Sequence, residues 1–407
     1  MVAGRVRSGI TYGSAYRGID MHSSGHQDRS LGTYLSIEVW GDVCMRALVI
    51  SPGHGDSDRF VDLPDPQPAQ GEATVEVIGV GVDGTDDELV GGAYGEAPSG
   101  DDFLVFGHEC LGRVVTPAGP LALGQLVVPI VRRPDPVPCL NCAKGEWDYC
   151  LNGLYTERGI KGRHGFLVER FTEDPAYLVP VPEHLVEVGM LVEPTTISVK
   201  ALEQVDTVQQ RLTWQPQRAL VTGAGTVGLL AAMLLSLRGL EVIVYNRSRS
   251  GPKPDLVEAL GARFVSADDV ELGREFADRF GPIDIAIEAT GYSPLAFTLL
   301  DVVGPNGVVV LTGVSGGDRT AELPVDHLNL ETVLKNKVLL GTVNADRANF
   351  EAAVRALEEA EQRWPGWLSR LITRRVGLSD YRHALDRSSD EVKVVIDIAP
   401  ADGNQRG

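Results

Sequence analysis

From residue 45 to about 192 the chain runs in short stretches, MRALVI, ATVEVIGVGV and GQLVVPIVRRP among them, in which apolar and polar positions tend to alternate. Glycine, proline and aspartate interrupt these runs. A period of two with frequent turn residues predicts a mainly antiparallel β region with long loops. The character changes at Glu193-Pro194. ISVKALEQV reads as helix, and QRALVTGAGTVGLLAAMLLSLRGLEVIVYNR then reads strand, glycine turn, helix, strand. That alternation continues through FVSAD, PIDIAIEATG, GVVVLTGV and KVLLGTV, which predicts a parallel sheet covered by helices. NFEAAVRALEEAEQRWPGWLSRLI reads as helix and VKVVIDIA as a closing strand, so the end of the chain is expected to rejoin the first region.

A chain of 407 residues is more than one core usually serves, and the pattern divides it at about 45–193, 194–340 and 341–400, with a short tail at 401–407. Residues 1–44 lack clear periodicity and the apolar core of a signal peptide, which predicts a disordered extension.

Composition narrows the function. The formal net charge of −19, from 37 basic and 56 acidic residues, argues against nucleic acid or an anionic membrane as partner. No uncharged apolar run is long enough to span a bilayer. Five cysteines in a chain of this length do not make a disulfide scaffold, and a reducing cytoplasm suits them best.

GAGTVG, with Gly223, Gly225, Thr226, Val227 and Gly228, lies between an apolar strand and an apolar helix, the setting a dinucleotide fingerprint requires. Its glycines let the backbone turn tightly and approach a pyrophosphate at the helix N-terminus. At the tip of the next strand, where a carboxylate would select NAD, stand Tyr245, Asn246, Arg247, Ser248 and Arg249. Guanidinium groups pair with phosphate, so NADP is expected to be preferred and NAD tolerated. Thr290, Gly313 and Val314 fall at C-terminal strand ends, where open α/β sheets bind ligands, and should flank the nicotinamide.

Asp83 in GVDGTDD, the adjacent His108 and Glu109 in FGHECLG, and Glu193 at the junction offer nitrogen and oxygen ligands for zinc. Spacing alone reads each acid equally well as a solvent-exposed cap.

Together, a GHE stretch in a β region, a cysteine cluster and a GxGxxG region resemble the medium-chain zinc-dependent alcohol dehydrogenases. VGVDGTD, YTERGIKGRHGF, VEPTTISVKA and LKNKVLLGTVN further resemble the glucose 1-dehydrogenases, most closely the haloarchaeal type. The resemblance implies an α/β plus mainly β architecture: a GroES-like catalytic domain and a Rossmann-type, doubly wound nucleotide domain. It implies a catalytic zinc held by Asp83, His108 and, in some states, Glu109 or Glu193. It also implies a structural zinc in a lobe at about 135–150. CLNCAKGEWDYC supplies Cys139, Cys142 and Cys150, while the family's first cysteine falls at Pro136, so Asp135 is the expected fourth ligand. Thr85 matches a family threonine near metal and sugar, Glu157 a residue that hydrogen-bonds sugar hydroxyls, and Asn344 a position touching both cofactor and sugar.

The activity implied is oxidation of an aldose, D-glucose or else D-galactose or D-xylose, at C1 to the lactone, by a homodimer or homotetramer. A zinc polyol or threonine dehydrogenase shares GHE and the nucleotide region but not TERGI or VDGTD. A non-catalytic NADPH-binding relative would not need the ligand set.

Overall fold

The computed structural model describes residues 44–247, 249–316 and 318–398. Of the extension expected at 1–44, residues 1–43 lie outside the described residues, as do the tail at 401–407 and Ser248, whereas Cys44 already belongs to the first strand.

The chain begins with β1 (Cys44–Ile50), β2 (Arg59–Pro64) and β3 (Ala73–Val82), followed by a short helix α1 (Gly84–Val90). Then come β4 (Leu104–Val105), β5 (Glu109–Thr116), β6 (Leu126–Pro129), β7 (Arg132–Arg133), β8 (Thr156–Arg158), β9 (Gly162–Arg163), β10 (Arg170–Glu173) and β11 (Leu178–Val181). The alternation in ATVEVIGVGV predicts one buried face, yet nearly every residue of β3 is buried. The cause is position: β3 pairs with β5, β10 and the last strand of the chain, and lies inside a seven-stranded sheet.

Helix α2 (Val192–Gln209) leads into the parallel part of the molecule: β12 (Arg218–Thr222), α3 (Thr226–Leu237), β13 (Glu241–Asn246), α4 (Lys253–Ala259) and β14 (Arg263–Ser266). It continues with α5 (Arg274–Phe280), β15 (Ile283–Glu288), α6 (Pro294–Val302), β16 (Val303–Leu311), α7 (Val325–Leu334) and β17 (Val338–Gly341). These six strands pair in parallel in the order β14-β13-β12-β15-β16-β17. The order reverses between β12 and β15, and at such a switch point the strand ends open into a ligand crevice.

The long helix predicted near the C-terminus is two helices, α8 (Arg347–Arg363) and α9 (Trp367–Leu371). Pro365 follows the last turn of α8, and Gly366 has φ +77, a left-handed conformation that ends the helix cheaply only at glycine. The chain closes through β18 (Ile372–Gly377), α10 (Tyr381–Leu385) and β19 (Lys393–Asp397). β19 pairs antiparallel with β3, so the last strand enters the sheet of the first region.

Candidate active site

Asp83 sits where β3 ends and α1 begins. Its backbone is extended, and its carboxylate caps the helix, accepting N–H bonds from Thr85 at 2.8 Å and Asp86 at 3.3 Å. The Asp86 carboxylate returns the bond, accepting Asp83 N–H at 3.0 Å, and the Thr85 hydroxyl donates to Asp83 Oδ2 at 3.2 Å. A capping box thereby fixes a ligand carboxylate at a strand end. Neighbouring β5 starts at Glu109, which places His108 beside it: His108 Nε2 is 3.6 Å from Asp83 Oδ2, and His108 Nδ1 is 3.8 Å from Asp86 Oδ1. Both of the latter atoms are buried without a hydrogen-bond partner. Glu193, in the first turn of α2, completes the cluster; ligand atoms of His108, Glu109 and Glu193 lie within 4.8 Å of one another.

The electrostatics ask for a cation. Burial drives the Asp86 carboxyl up to about 7, with Asp83 adding to the rise and His108 opposing it. Burial likewise drives Glu193 up to about 8, helped by Glu109 and Asp83. Burial disfavours a charged His108, yet Asp83, Asp86 and Glu193 hold its pKa well above the ordinary value. Asp83, also pushed up by burial, is pulled further the other way by His108 and ends well below the usual carboxylate range. Crowded acids that keep protons near neutrality are negative charge short of a counter-ion. Zinc bonds of about 2.1 Å in a tetrahedron separate two ligand atoms by about 3.4 Å. The 3.6 Å between Asp83 Oδ2 and His108 Nε2 fits that edge.

Glu109 is held differently. Its two oxygens accept from Lys393 Nζ at 2.7 and 2.5 Å, and the pair is almost fully buried. Sequence reasoning did not single out Lys393, which stands among the valines of a closing strand, nor Asp86, whose signal was the Asp83-to-Asp86 capping spacing.

Glu157 is buried on β8, where its Oε1 accepts from Arg132 Nε at 3.1 Å and Nη2 at 3.0 Å, and from Asn344 Nδ2 at 2.7 Å. Arg132 also stacks 3.7 Å from the Tyr155 ring. Asn344, just past β17, has φ +59. The loop after Glu157 docks on the FGHE stretch: a Cβ on Gly159 or Gly165 would stand 2.4 Å from Gly107 O. His164 accepts from Val105 N–H, pairs with Asp101 and stacks on Phe103, a structural role. Cys110 is fully buried core.

In the glycine turn, Gly223 has φ +96, Gly225 caps α3, and a Cβ on Gly228 would stand 2.0 Å from Gly223 O. Asn246 Oδ1 accepts from Ala224 N–H at 3.2 Å, tying the tip of β13 to this turn. Thr226 donates its hydroxyl to Val392 O at 2.7 Å. Arg249 pairs with Asp269 at 2.6 Å, while Arg247 is exposed at the strand tip. Beyond β15, the buried Glu288 carboxylate accepts from Thr290 N–H at 2.7 Å and Gly291 N–H at 3.3 Å, and its carbonyl accepts from Gly313 N–H at 3.3 Å. Thr290 and Gly313 thus share one buttress, which the sequence did not reveal; Val314 is exposed beside them.

The thiols of Cys139, Cys142 and Cys150 gather within 4.8 Å of one another. Asp135 is not part of that group. Its carboxylate accepts from Val137 N–H at 2.8 Å and from Asn152 Nδ2 at 2.6 Å, which holds it in a local turn away from the thiols. Cys139 Sγ accepts N–H bonds from Cys142 and Leu151, which lower its pKa to about 6.

Residues 69–183 match the alcohol dehydrogenase GroES-like domain, and residues 186–398 match the family described as glucose dehydrogenase C-terminus. The chain is 43% identical to a glucose 1-dehydrogenase of Methanocella arvoryzae, covering 87% of this chain and 99% of that protein. It is 40% identical to glucose 1-dehydrogenase 1 of Haloterrigena turkmenica, covering 85% and 95%. The structure of Haloferax mediterranei glucose dehydrogenase in complex with NADP, Zn and gluconolactone superposes with a TM-score of 0.81 at 35% identity, covering 87% of this chain and 99% of that one. On these grounds the chain belongs to the glucose 1-dehydrogenase family of the zinc-dependent medium-chain alcohol dehydrogenases.

Proposed function

We propose that this protein oxidises an aldose, D-glucose first, at C1 to the aldonolactone, with hydride transfer to NADP in preference to NAD. The observation that carries the reading is the Asn344–Glu157 hydrogen bond, which joins the end of the nucleotide-binding sheet to a buried acid beside the FGHE stretch. The division of the chain follows: 45–193 catalytic, 194–340 nucleotide-binding and 341–400 the return.

Asp83, His108 and Glu193 would hold the catalytic zinc: Asp83 clusters with His108 and Asp86, and Glu193 with His108 and Glu109. When bound, zinc supplies a Lewis acid that lowers the pKa of a sugar hydroxyl, and the nicotinamide supplies the hydride acceptor. Thr85, already bonded to Asp83, provides the first hydroxyl of the path by which the proton of the C1 hydroxyl leaves. Glu157 keeps Oε1 for Arg132 and Asn344, so Oε2 is the oxygen left to accept from sugar hydroxyls. An acceptor of this kind rejects analogues that lack the hydroxyl, because its second oxygen is then left buried without a donor. Gly223, Gly225, Thr226, Val227 and Gly228 bring backbone to the pyrophosphate, Asn246 and Arg247 face the ribose 2′ position, and Thr290, Gly313, Val314 and Asn344 border the nicotinamide.

The clustered thiols support a second, structural zinc held by Cys139, Cys142 and Cys150; Asp135 would have to turn toward them to be the fourth ligand. A homodimer or homotetramer is supported by β17, an edge strand with exposed Leu339, and by the exposed Leu330, Val333 and Leu334 of α7. No described helix is long and apolar enough to cross a membrane; we place the protein in the cytoplasm, with a small sugar as its partner.

Initial rates with D-glucose, D-galactose and D-xylose against each nicotinamide cofactor, with polyols and threonine alongside, test the reading. Turnover of an aldose with lactone as product is expected. Turnover of polyols alone, or none, overturns it.

A further inference from the structure

The carboxylate of Glu109 lies close enough to His108 and Glu193 to share an ion with them, and both its oxygens are bonded to Lys393 Nζ. Three features hold it. Gly81 opposite it on β3 has no side chain; a Cβ there would stand 2.0 Å from Glu109 Oε2. Lys393 Nζ reaches both carboxylate oxygens and donates besides to Val82 O at 3.1 Å, the residue before Asp83. Finally, the peptide that carries Lys393 is itself pinned. Thr226 of the glycine turn donates to Val392 O at 2.7 Å, Thr373 accepts from Val392 N–H at 3.1 Å, and the Thr373 hydroxyl donates to Lys393 O at 3.2 Å.

We propose that Lys393 is a positioning residue: it keeps the Glu109 carboxylate out of the shell of the catalytic ion, so that Asp83, His108 and Glu193 are the protein ligands and a coordination position stays open for the sugar. The inference rests on the metal reading above and adds to it the residue that decides which acid ligates. Its physical basis is competition between two cations for one buried carboxylate. An anion already satisfied by a buried ammonium gains little by moving to the metal, because the move strands the ammonium. Removing the ammonium reverses the balance. Glu109 is then a buried, unpaired anion whose nearest counter-charge is the ion, and it closes the open position.

The experiment measures zinc affinity by chelator competition, with thermal melts of the same samples with and without zinc, on the full-length wild type, Lys393→Met and the charge-balanced double variant Lys393→Met/Glu109→Gln. Lys393→Met is expected to bind zinc at least tenfold more tightly, to gain more in melting temperature from zinc than the wild type does, and to show a lower kcat with a raised sugar KM. The double variant, lacking both the competitor and the displaced carboxylate, is expected to bind zinc within about threefold of wild type. A folded Lys393→Met that binds zinc no more tightly than wild type overturns the proposal, since a purely structural lysine predicts a lower melting temperature and unchanged affinity. Should Lys393→Met fail to fold, the double variant decides alone: a tenfold weaker zinc site means that Glu109 is a ligand in the wild type and the proposal is wrong. A wild type that takes up no zinc removes the metal reading itself, whereas a zinc-binding wild type with an unaltered variant removes only this inference.

Discussion

Asn344 Nδ2 donates to Glu157 Oε1 at 2.7 Å across 187 positions of sequence, and it does so from a left-handed backbone conformation with φ +59. Asparagine tolerates that conformation better than other residues with a side chain. Asn344→Gly keeps the backbone and removes the contact, so the fold should be retained while kcat/KM for glucose falls about tenfold, the worth of one hydrogen bond to a charged group at about 1.5 kcal/mol. Asn344→Ala removes the contact and adds strain of about 1 kcal/mol, visible as a lower melting temperature than that of the glycine variant. Equal kcat/KM in wild type and Asn344→Gly would show that the contact does not orient the sugar acceptor.

Asp83 is both a helix cap and a metal ligand candidate. Asp83→Cys exchanges a hard oxygen donor for a soft thiolate, which gives more charge to zinc. The variant should hold zinc more tightly in chelator competition and turn over more slowly, since the ion becomes a weaker Lewis acid. It should also lose about 1 kcal/mol of stability with the cap. Weaker zinc binding by the cysteine variant contradicts this account of the ligand.

Protons and zinc compete for the same cluster. Asp86 and Glu193 hold their protons up to about 7 and about 8 in the folded zinc-free protein, against about 4 when unfolded, and His108 stays protonated above its ordinary value. All three groups bind more protons folded than unfolded, so zinc-free stability falls as pH rises from about 4 through about 8. Zinc must displace those protons, and its affinity should rise about tenfold or more from pH 6 to pH 8. Calorimetry in buffers of different ionisation enthalpy checks it by counting protons released; none released at pH 6.5 would contradict the assignment.

Arg247 is exposed at the end of β13, while Arg249 is engaged with Asp269. Arg247→Ala should lower the NADP to NAD ratio of kcat/KM at least tenfold, equivalent to about 1.4 kcal/mol, with the NAD value little changed. An unchanged ratio places the 2′-phosphate contact elsewhere.

The parts of this protein that can be read from sequence are those whose partners are close in sequence. The glycine turn, the Asp83 cap with Thr85, and the His108–Glu109 doublet are local, and the order of strands and helices follows from periodicity alone. What escaped was made by distant pairing. Lys393 meets Glu109 over 284 positions, and nothing in VKVVIDIA marks its lysine as buried. Arg132 at Glu157 and the Glu288 carbonyl at Gly313 became apparent only once the sheets were assembled. Asp135 shows the converse: the family resemblance pointed to it, but its carboxylate bonds to Val137 N–H and the Asn152 amide and lies outside the thiol cluster. The break between α8 and α9 was written in Pro365-Gly366, inside a run whose apolar spacing continues on both sides.

Turnover is proposed to depend on a divalent ion at Asp83, His108 and Glu193. The most direct measurement is the initial rate of NADP reduction with D-glucose before and after exhaustive chelation, with metal content determined on the same samples. Loss of turnover with the metal, and its return on adding zinc alone, is the predicted result. Undiminished glucose oxidation by protein shown to hold no ion would contradict it.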